Sequence, residues 1–205
     1  SGAMPISCVM CQQGAKMVLL VTGKCSFGCW YCPLSLEKKD RDVTFADELL
    51  VKSDDDIIFE ARAIGARGTG ITGGDPLLAM EGTLRYIKLL KNEFGQRHHI
   101  HLYTATPNPV KVGMLGDAGL DEIRFHPEID TWVSPSEKFG DTIKSALDHG
   151  MRVGIEIPSI PGHLDHMRSV VLALYEAGAD FVNLNELEFS ESNWRQLTTK
   201  GFYAR

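Results

Sequence analysis

Short apolar runs recur along the chain, separated by longer stretches in which apolar residues return every three or four positions. The runs at 17–22 (MVLLVT), 68–72, 100–104, 122–126, 153–157 and 181–185 are rich in Val, Ile, Leu and Phe, the pattern of buried strands. Between them the period changes to helical. Ser53 followed by Asp54, Asp55 and Asp56 marks a helix start, because carboxylates suit the positive N-terminal end. Ile57, Ile58, Ala61 and Ile64 continue that helix. Four more helices are predicted at 83–94, 110–118, 139–149 and 163–177. Gly65, Gly95, Gly119, Gly150 and Gly178 each stand between a helical stretch and the next strand. There a glycine can take the left-handed conformation that ends a helix.

Six strands alternating with helices imply a parallel sheet with crossover helices. The spacing, about 25–30 residues, is that of one βα unit. Eight such units close a full barrel of roughly 250 residues. Six units predict an α/β fold that is either an open doubly wound sheet or a partial (β/α)6 barrel. In both, ligands bind at the C-terminal ends of the strands, so the chemistry is expected just after each strand.

Composition narrows the class. The chain has 205 residues, 43% hydrophobic, and a net charge of −6. It is neither disordered nor strongly basic, and its longest apolar run, 17–21, is too short to span a bilayer. Residues 1–3 precede Met4 and read as an expression remnant. Residues 4–16 form a short N-terminal segment, 17–190 a single core, and 191–205 a tail without a clear final helix, as if truncated. The five cysteines, at 8, 11, 25, 29 and 32, crowd one end of the chain. An odd, clustered set is a poor disulfide framework and points to metal binding in a reducing cytoplasm.

Cys25, Cys29 and Cys32 follow the first strand at C-x3-C-x2-C spacing. Three thiolates can hold three irons of a [4Fe–4S] cluster and leave the fourth iron open for chemistry. Zinc held with a histidine, or unligated thiols, are the alternatives. Cys8 and Cys11 form a separate C-x2-C pair, too few ligands for a complete site alone. They suggest a second metal with ligands from elsewhere, a reducible disulfide or plain thiols.

The triplet, with Tyr31 before its last cysteine, resembles the signature of radical S-adenosylmethionine (SAM) enzymes. Gly73-Gly74-Asp75-Pro76 after the second strand resembles that family's Gly-Gly-Glu-Pro-like stretch, with Asp in place of the commoner Glu. The residues from Cys8 to Ser35 resemble the archaeal group described as related to pyruvate formate-lyase activating enzymes. The resemblance implies the partial barrel, a [4Fe–4S] cluster on Cys25, Cys29 and Cys32, and SAM chelated by the open iron. It also implies reductive cleavage of SAM to a 5′-deoxyadenosyl radical that abstracts hydrogen from a substrate. Tyr31 would lie near the adenine, and Gly73, Gly74 and Asp75 would hold the SAM ammonium.

At the remaining strand ends the resemblance and the residue types suggest further contacts. Thr104 and Thr106 would bind the SAM ribose or form a turn before Pro107. Arg124 and His126 would reach SAM or substrate, with a packed core histidine as the alternative for His126. Ser159 lies in a stretch resembling one that lines the adenine site. Glu156, a carboxylate within an apolar strand, must face the lumen or pair with a cation, Arg124 being the nearest in the pattern. Asn183 and Asn185 share a face and are substrate candidates, with loop capping as the alternative. The implied partners are a ferredoxin- or flavodoxin-like electron donor and a protein or RNA substrate, with no membrane. A non-catalytic iron–sulfur or zinc scaffold is the competing reading.

Overall fold

A computed structural model describes residues 4–203; the presumed remnant at 1–3 lies outside them. The six apolar runs become six parallel strands: β1 (Lys16–Leu20), β4 (Gly68–Thr72), β5 (His99–Thr104), β6 (Glu122–Phe125), β7 (Arg152–Ser159) and β8 (Phe181–Glu186). A two-stranded antiparallel extension, β2 (Phe45–Ala46) and β3 (Leu49–Leu50), sits beside β1. The sheet order is β3-β2-β1-β4-β5-β6-β7-β8, so β3 and β8 are its two edges and the barrel stays open between them. The helices are α1 (Ile6–Gln12), α2 (Asp54–Ala63), α3 (Met80–Phe94), α4 (Pro109–Asp117), α5 (Pro135–Asp148), α6 (Leu164–Glu176) and α7 (Trp194–Thr199). This is an α/β partial barrel.

Local chemistry sets the boundaries. At the start of α2 the Asp56 carboxylate accepts bonds from the Lys52 and Ser53 N–H groups, both at 2.8 Å. The five helix-ending glycines all have positive φ, between 64° and 111°. Two helices and the hairpin escape the sequence pattern because they are short. In α7 one residue, Leu197, reaches the core, so no period shows.

The strands divide their faces by alternation. Outward-facing Met17, Leu19, Ile71, Ile100, Leu102, Ile123, Phe125, Val153, Ile155 and Ile157 are at most 1% exposed beneath the helices. The parallel register puts Lys16 level with Gly68 and His99, and Tyr103 level with Arg124, Gly154 and Phe181, on the other face. The lumen is therefore polar. Gly154 is required there, since a Cβ would lie 2.4 Å from the Phe181 ring. The expectation that 17–22 is buried throughout needs one correction. Val18 is 49% exposed because it faces the lumen beside Gly70, which offers no side chain to pack on.

Helix α1 closes the N-terminal end of the barrel. Ser7, fully buried, donates to both carboxylate oxygens of Glu122 at 2.7 and 2.8 Å. Cys8 accepts a bond from Arg124 Nη2 at 3.2 Å. The Cys8/Cys11 pair thus sits at the opposite end of the strands from Cys25, Cys29 and Cys32.

Candidate active site

A cavity of about 530 Å³ opens at the C-terminal ends of the strands. Its wall is built from the loop after β1 (Cys25, Gly28, Cys29, Tyr31, Cys32), the end of β4 (Gly73, Gly74) and the β5 end (Tyr103, Thr104). His126, Glu156, Pro158, Asn185, Glu186, Glu188 and Gln196 also line it. Sequence-predicted residues from six different strand ends therefore meet in one place.

The three cysteines are partly buried and free. Burial raises the pKa of Cys25, and that of Cys29 to about 11. Among the described residues no three His, Cys, Asp or Glu side chains converge where a single metal ion could sit. Three soft thiols spread around one cavity suit a cluster, which takes each on a different iron, better than one zinc ion. Cys8 and Cys11 likewise gain no third ligand among the described residues.

Asp75 departs from expectation. It is 0% exposed and does not line the cavity. Its carboxylate accepts from Leu77 N (2.9 Å), Thr104 Oγ1 (2.8 and 3.1 Å), Ala105 N (3.1 Å) and Thr106 Oγ1 (2.8 Å). A buried carboxylate needs such partners, and here they leave it nothing to offer a ligand. Asp75 is the knot joining the ends of β4 and β5. Thr106 is drawn to it and leaves the cavity wall, whereas Thr104 lines the cavity with its hydroxyl turned to Asp75.

Gly73 and Gly74 line the cavity, but the close approach that demands glycine is to the protein itself. A Cβ on Gly73 would sit 2.4 Å from Thr22 O, and one on Gly74 2.2 Å from Lys24 O. Gly74 N–H bonds Thr22 O and Asp75 N–H bonds Lys24 O, at 2.7 and 2.9 Å. This lacing fixes where the cysteine loop leaves β1.

His126 is also occupied. Nδ1 lies 2.8 Å from Glu156 O, which can only accept, so Nδ1 carries the proton; Nε2 then accepts from the Tyr31 hydroxyl at 2.9 Å. Burial lowers its pKa and keeps the ring neutral, against the pull of the Glu156 carbonyl. Tyr31 itself lines the cavity at 6% exposure.

Glu156 satisfies both sequence alternatives at once. It lines the cavity and pairs with Arg124 Nη1 at 2.8 Å, while Asn185 Nδ2 donates to its other oxygen at 2.8 Å and Asn183 donates to Asn185. Ser159 does not line the cavity and is exposed, because alternation from Glu156 and Pro158 turns it to the other face.

Several lumen residues were missed. His99, His101 and Tyr103 stand at i, i+2 and i+4 of β5, a polar stripe that alternation makes legible. Glu186 at the end of β8, Gln196 on the short α7, and Glu188, Lys39 and Asp40 from loops gave no sequence signal.

Comparison with known proteins decides the family. The model of the radical SAM superfamily matches residues 19–175. The chain belongs to the radical SAM superfamily. It is therefore an enzyme of a family that uses SAM and a [4Fe–4S] cluster. A protein of Methanocaldococcus jannaschii named "putative glycyl-radical enzyme activating enzyme" is 40% identical over 208 residues, 97% of this chain and 54% of that protein. This radical SAM chain thus spans about half the length of that curated relative. Its fold is shared with SuiB of Streptococcus suis bound to S-adenosylmethionine (TM-score 0.64, 13% identity, 86% of this chain, 41% of that one). It is also shared with methylornithine synthase PylB (TM-score 0.63, 14% identity, 86% of this chain, 54% of that one).

Proposed function

We propose that this chain binds a [4Fe–4S] cluster through Cys25, Cys29 and Cys32 and cleaves SAM reductively to a radical that takes hydrogen from a protein substrate. The observation that carries the reading is the convergence of the three thiols with Gly73, Gly74 and Tyr31 on one cavity. When bound, the cluster supplies the electron that cleaves SAM into methionine and a 5′-deoxyadenosyl radical.

The chain's own residues hold and orient. The backbone of Gly73 and Gly74 forms one wall, available to a polar ligand such as an ammonium. Tyr31 presents a ring fixed by His126. Glu156, Asn185, Glu186, Glu188 and Gln196 form the opposite wall, where a substrate would lie. With Asp40, that wall and its surroundings carry four carboxylates, of which Glu156 is paired with Arg124, and Lys39 is the lysine among the lining residues. Such a site repels a phosphate backbone, which favours a polypeptide over RNA. The name of the 40% identical relative supports the same choice, with a glycyl-radical protein as one form of the substrate. A ferredoxin- or flavodoxin-like protein is the fitting reductant class, and a reducing cytoplasm the fitting compartment. No helix among the described residues is long and apolar enough to cross a membrane.

The test is anaerobic reconstitution with iron and sulfide, reduction with dithionite in the presence of SAM, and assay for 5′-deoxyadenosine. The expected result is iron-dependent product that disappears in Cys29→Ala. Tight zinc with no iron uptake, or an intact cluster that never cleaves SAM, would overturn it in favour of a scaffold.

A further inference from the structure

The chain from Leu187 onward does not trail away. It crosses from the end of β8 to the loop after β1, from one margin of the open barrel toward the other. Asn193 is its anchor. It is 1% exposed, and every hydrogen-bonding group of its side chain is used. Oδ1 accepts from Ser190 N–H at 2.8 Å, and Nδ2 donates to Glu188 O and to Tyr31 O, both at 2.9 Å. The bond to Tyr31 links residues 162 positions apart and lands inside the cysteine loop.

Neighbouring contacts repeat the tie. Ser192 Oγ donates to Cys32 O at 3.2 Å, and Leu36 N–H to Glu191 Oε1 at 3.2 Å. Phe202 stacks on Trp30 with ring centres 5.7 Å apart and planes 8° from parallel. Leu197, with no exposure, seats the short helix α7 in the core. The loop needs such support, because no helix or strand runs through residues 25–32.

We propose that Asn193 is a positioning residue that sets the cysteine loop. Resting on the cluster reading above, it makes the segment 188–202 a strap that fixes Tyr31, Cys32 and the cavity wall together. Tyr31 is then held at both ends, its hydroxyl by His126 and its carbonyl by Asn193. A carbonyl that loses a buried donor cannot be repaired by water without moving the loop.

Two variants test this. Asn193→Asp keeps the acceptor for Ser190 N–H and removes both donors. Phe202→Ala loosens the same strap at its half-buried end, where folding is not at stake. In the metal-free chain, hydrogen exchange at the amides of residues 29–32 should accelerate about tenfold in Asn193→Asp and severalfold in Phe202→Ala. Exchange in β4 to β7 should stay unchanged. In chain reconstituted with iron and sulfide, the SAM-induced change in the electron paramagnetic resonance spectrum should need about tenfold more SAM in Asn193→Asp. Loop exchange within twofold of the parent in both variants overturns the proposal. So does acceleration spread evenly over the barrel, which would make Asn193 an ordinary fold residue. If Asn193→Asp does not fold, Phe202→Ala decides alone. A parent chain that takes up no iron would overturn the cluster reading, while the exchange comparison still decides whether Asn193 holds the loop.

Discussion

The Tyr31 hydroxyl lies 2.9 Å from Nε2 of His126, whose Nδ1 lies 2.8 Å from the Glu156 carbonyl, so one imidazole ties the cysteine loop to β7. Replacing one partner leaves the other buried and unsatisfied, whereas replacing both removes the mismatch. His126→Phe and Tyr31→Phe should each cost about 1–3 kcal/mol, and the double variant should cost less than their sum. Urea denaturation of the four metal-free proteins closes the cycle. Additive losses would mean that the two side chains do not depend on each other.

Asp75 tests whether the acidic residue after the double glycine serves the fold or the ligand. Its oxygens face four donor groups, two of them rigid backbone N–H groups of Leu77 and Ala105. An amide would set its own N–H groups against some of these donors. Asp75→Asn should therefore lower the stability of the metal-free chain by about 3 kcal/mol, or roughly 6–12 °C in melting temperature. An unchanged melting curve with weaker SAM binding after reconstitution would return Asp75 to the ligand.

Much of this was legible in the sequence because it depends on periodicity and punctuation. The apolar runs located all six parallel strands, and the glycines located the helix ends. The cysteine spacing located the loop that opens into the cavity. Side-chain commitments were not legible. Whether Asp75 faces a ligand or four protein donors depends on the ends of β5 and β4 meeting, which no local pattern encodes. The strap was hidden for a similar reason. Asn193 acts across 162 positions, and α7 is too short to show a period. Ser159 was misplaced by reading a loop motif where alternation along β7 was the stronger constraint.

Arg124 is the main pillar of the lumen. Its guanidinium bonds Glu122 and Glu156, both at 2.8 Å, Tyr103 Oη at 3.2 Å and Ser7 Oγ at 2.7 Å. Glu122 has no exposure, so removing the arginine strands a buried carboxylate. Arg124→Met should cost about 3–5 kcal/mol, and adding Glu122→Gln should recover part of that loss. Chemical denaturation measures both. Equal loss in the single and double variants would show that the damage is a packing defect and not an orphaned charge.

Lys16 gives the lumen a pH dependence whose sign can be worked out. Its ammonium reaches Thr69 O at 3.3 Å, His99 Nδ1 at 3.2 Å and His101 Nδ1, one acceptor for each of its three protons. Burial nonetheless lowers its pKa from 10.5 to about 8, with Glu122 opposing the shift. The folded chain therefore releases this proton before the unfolded chain does. Between about pH 8 and 10.5 the unfolded state binds more protons, so this group adds stability as pH rises. Below pH 8 the cost of burying the charge is fully present, roughly 3 kcal/mol. His99 and His101, their pKa values lowered chiefly by burial, stay neutral across that window and contribute no slope. Lys16→Met removes the titration. Unfolding free energies of parent and variant, measured in urea at several values from pH 7 to 10, should show the parent gaining stability relative to the variant as pH increases. Parallel curves would mean that the amine keeps its ordinary affinity for the proton and that the lumen is wetter at its base than its packing indicates.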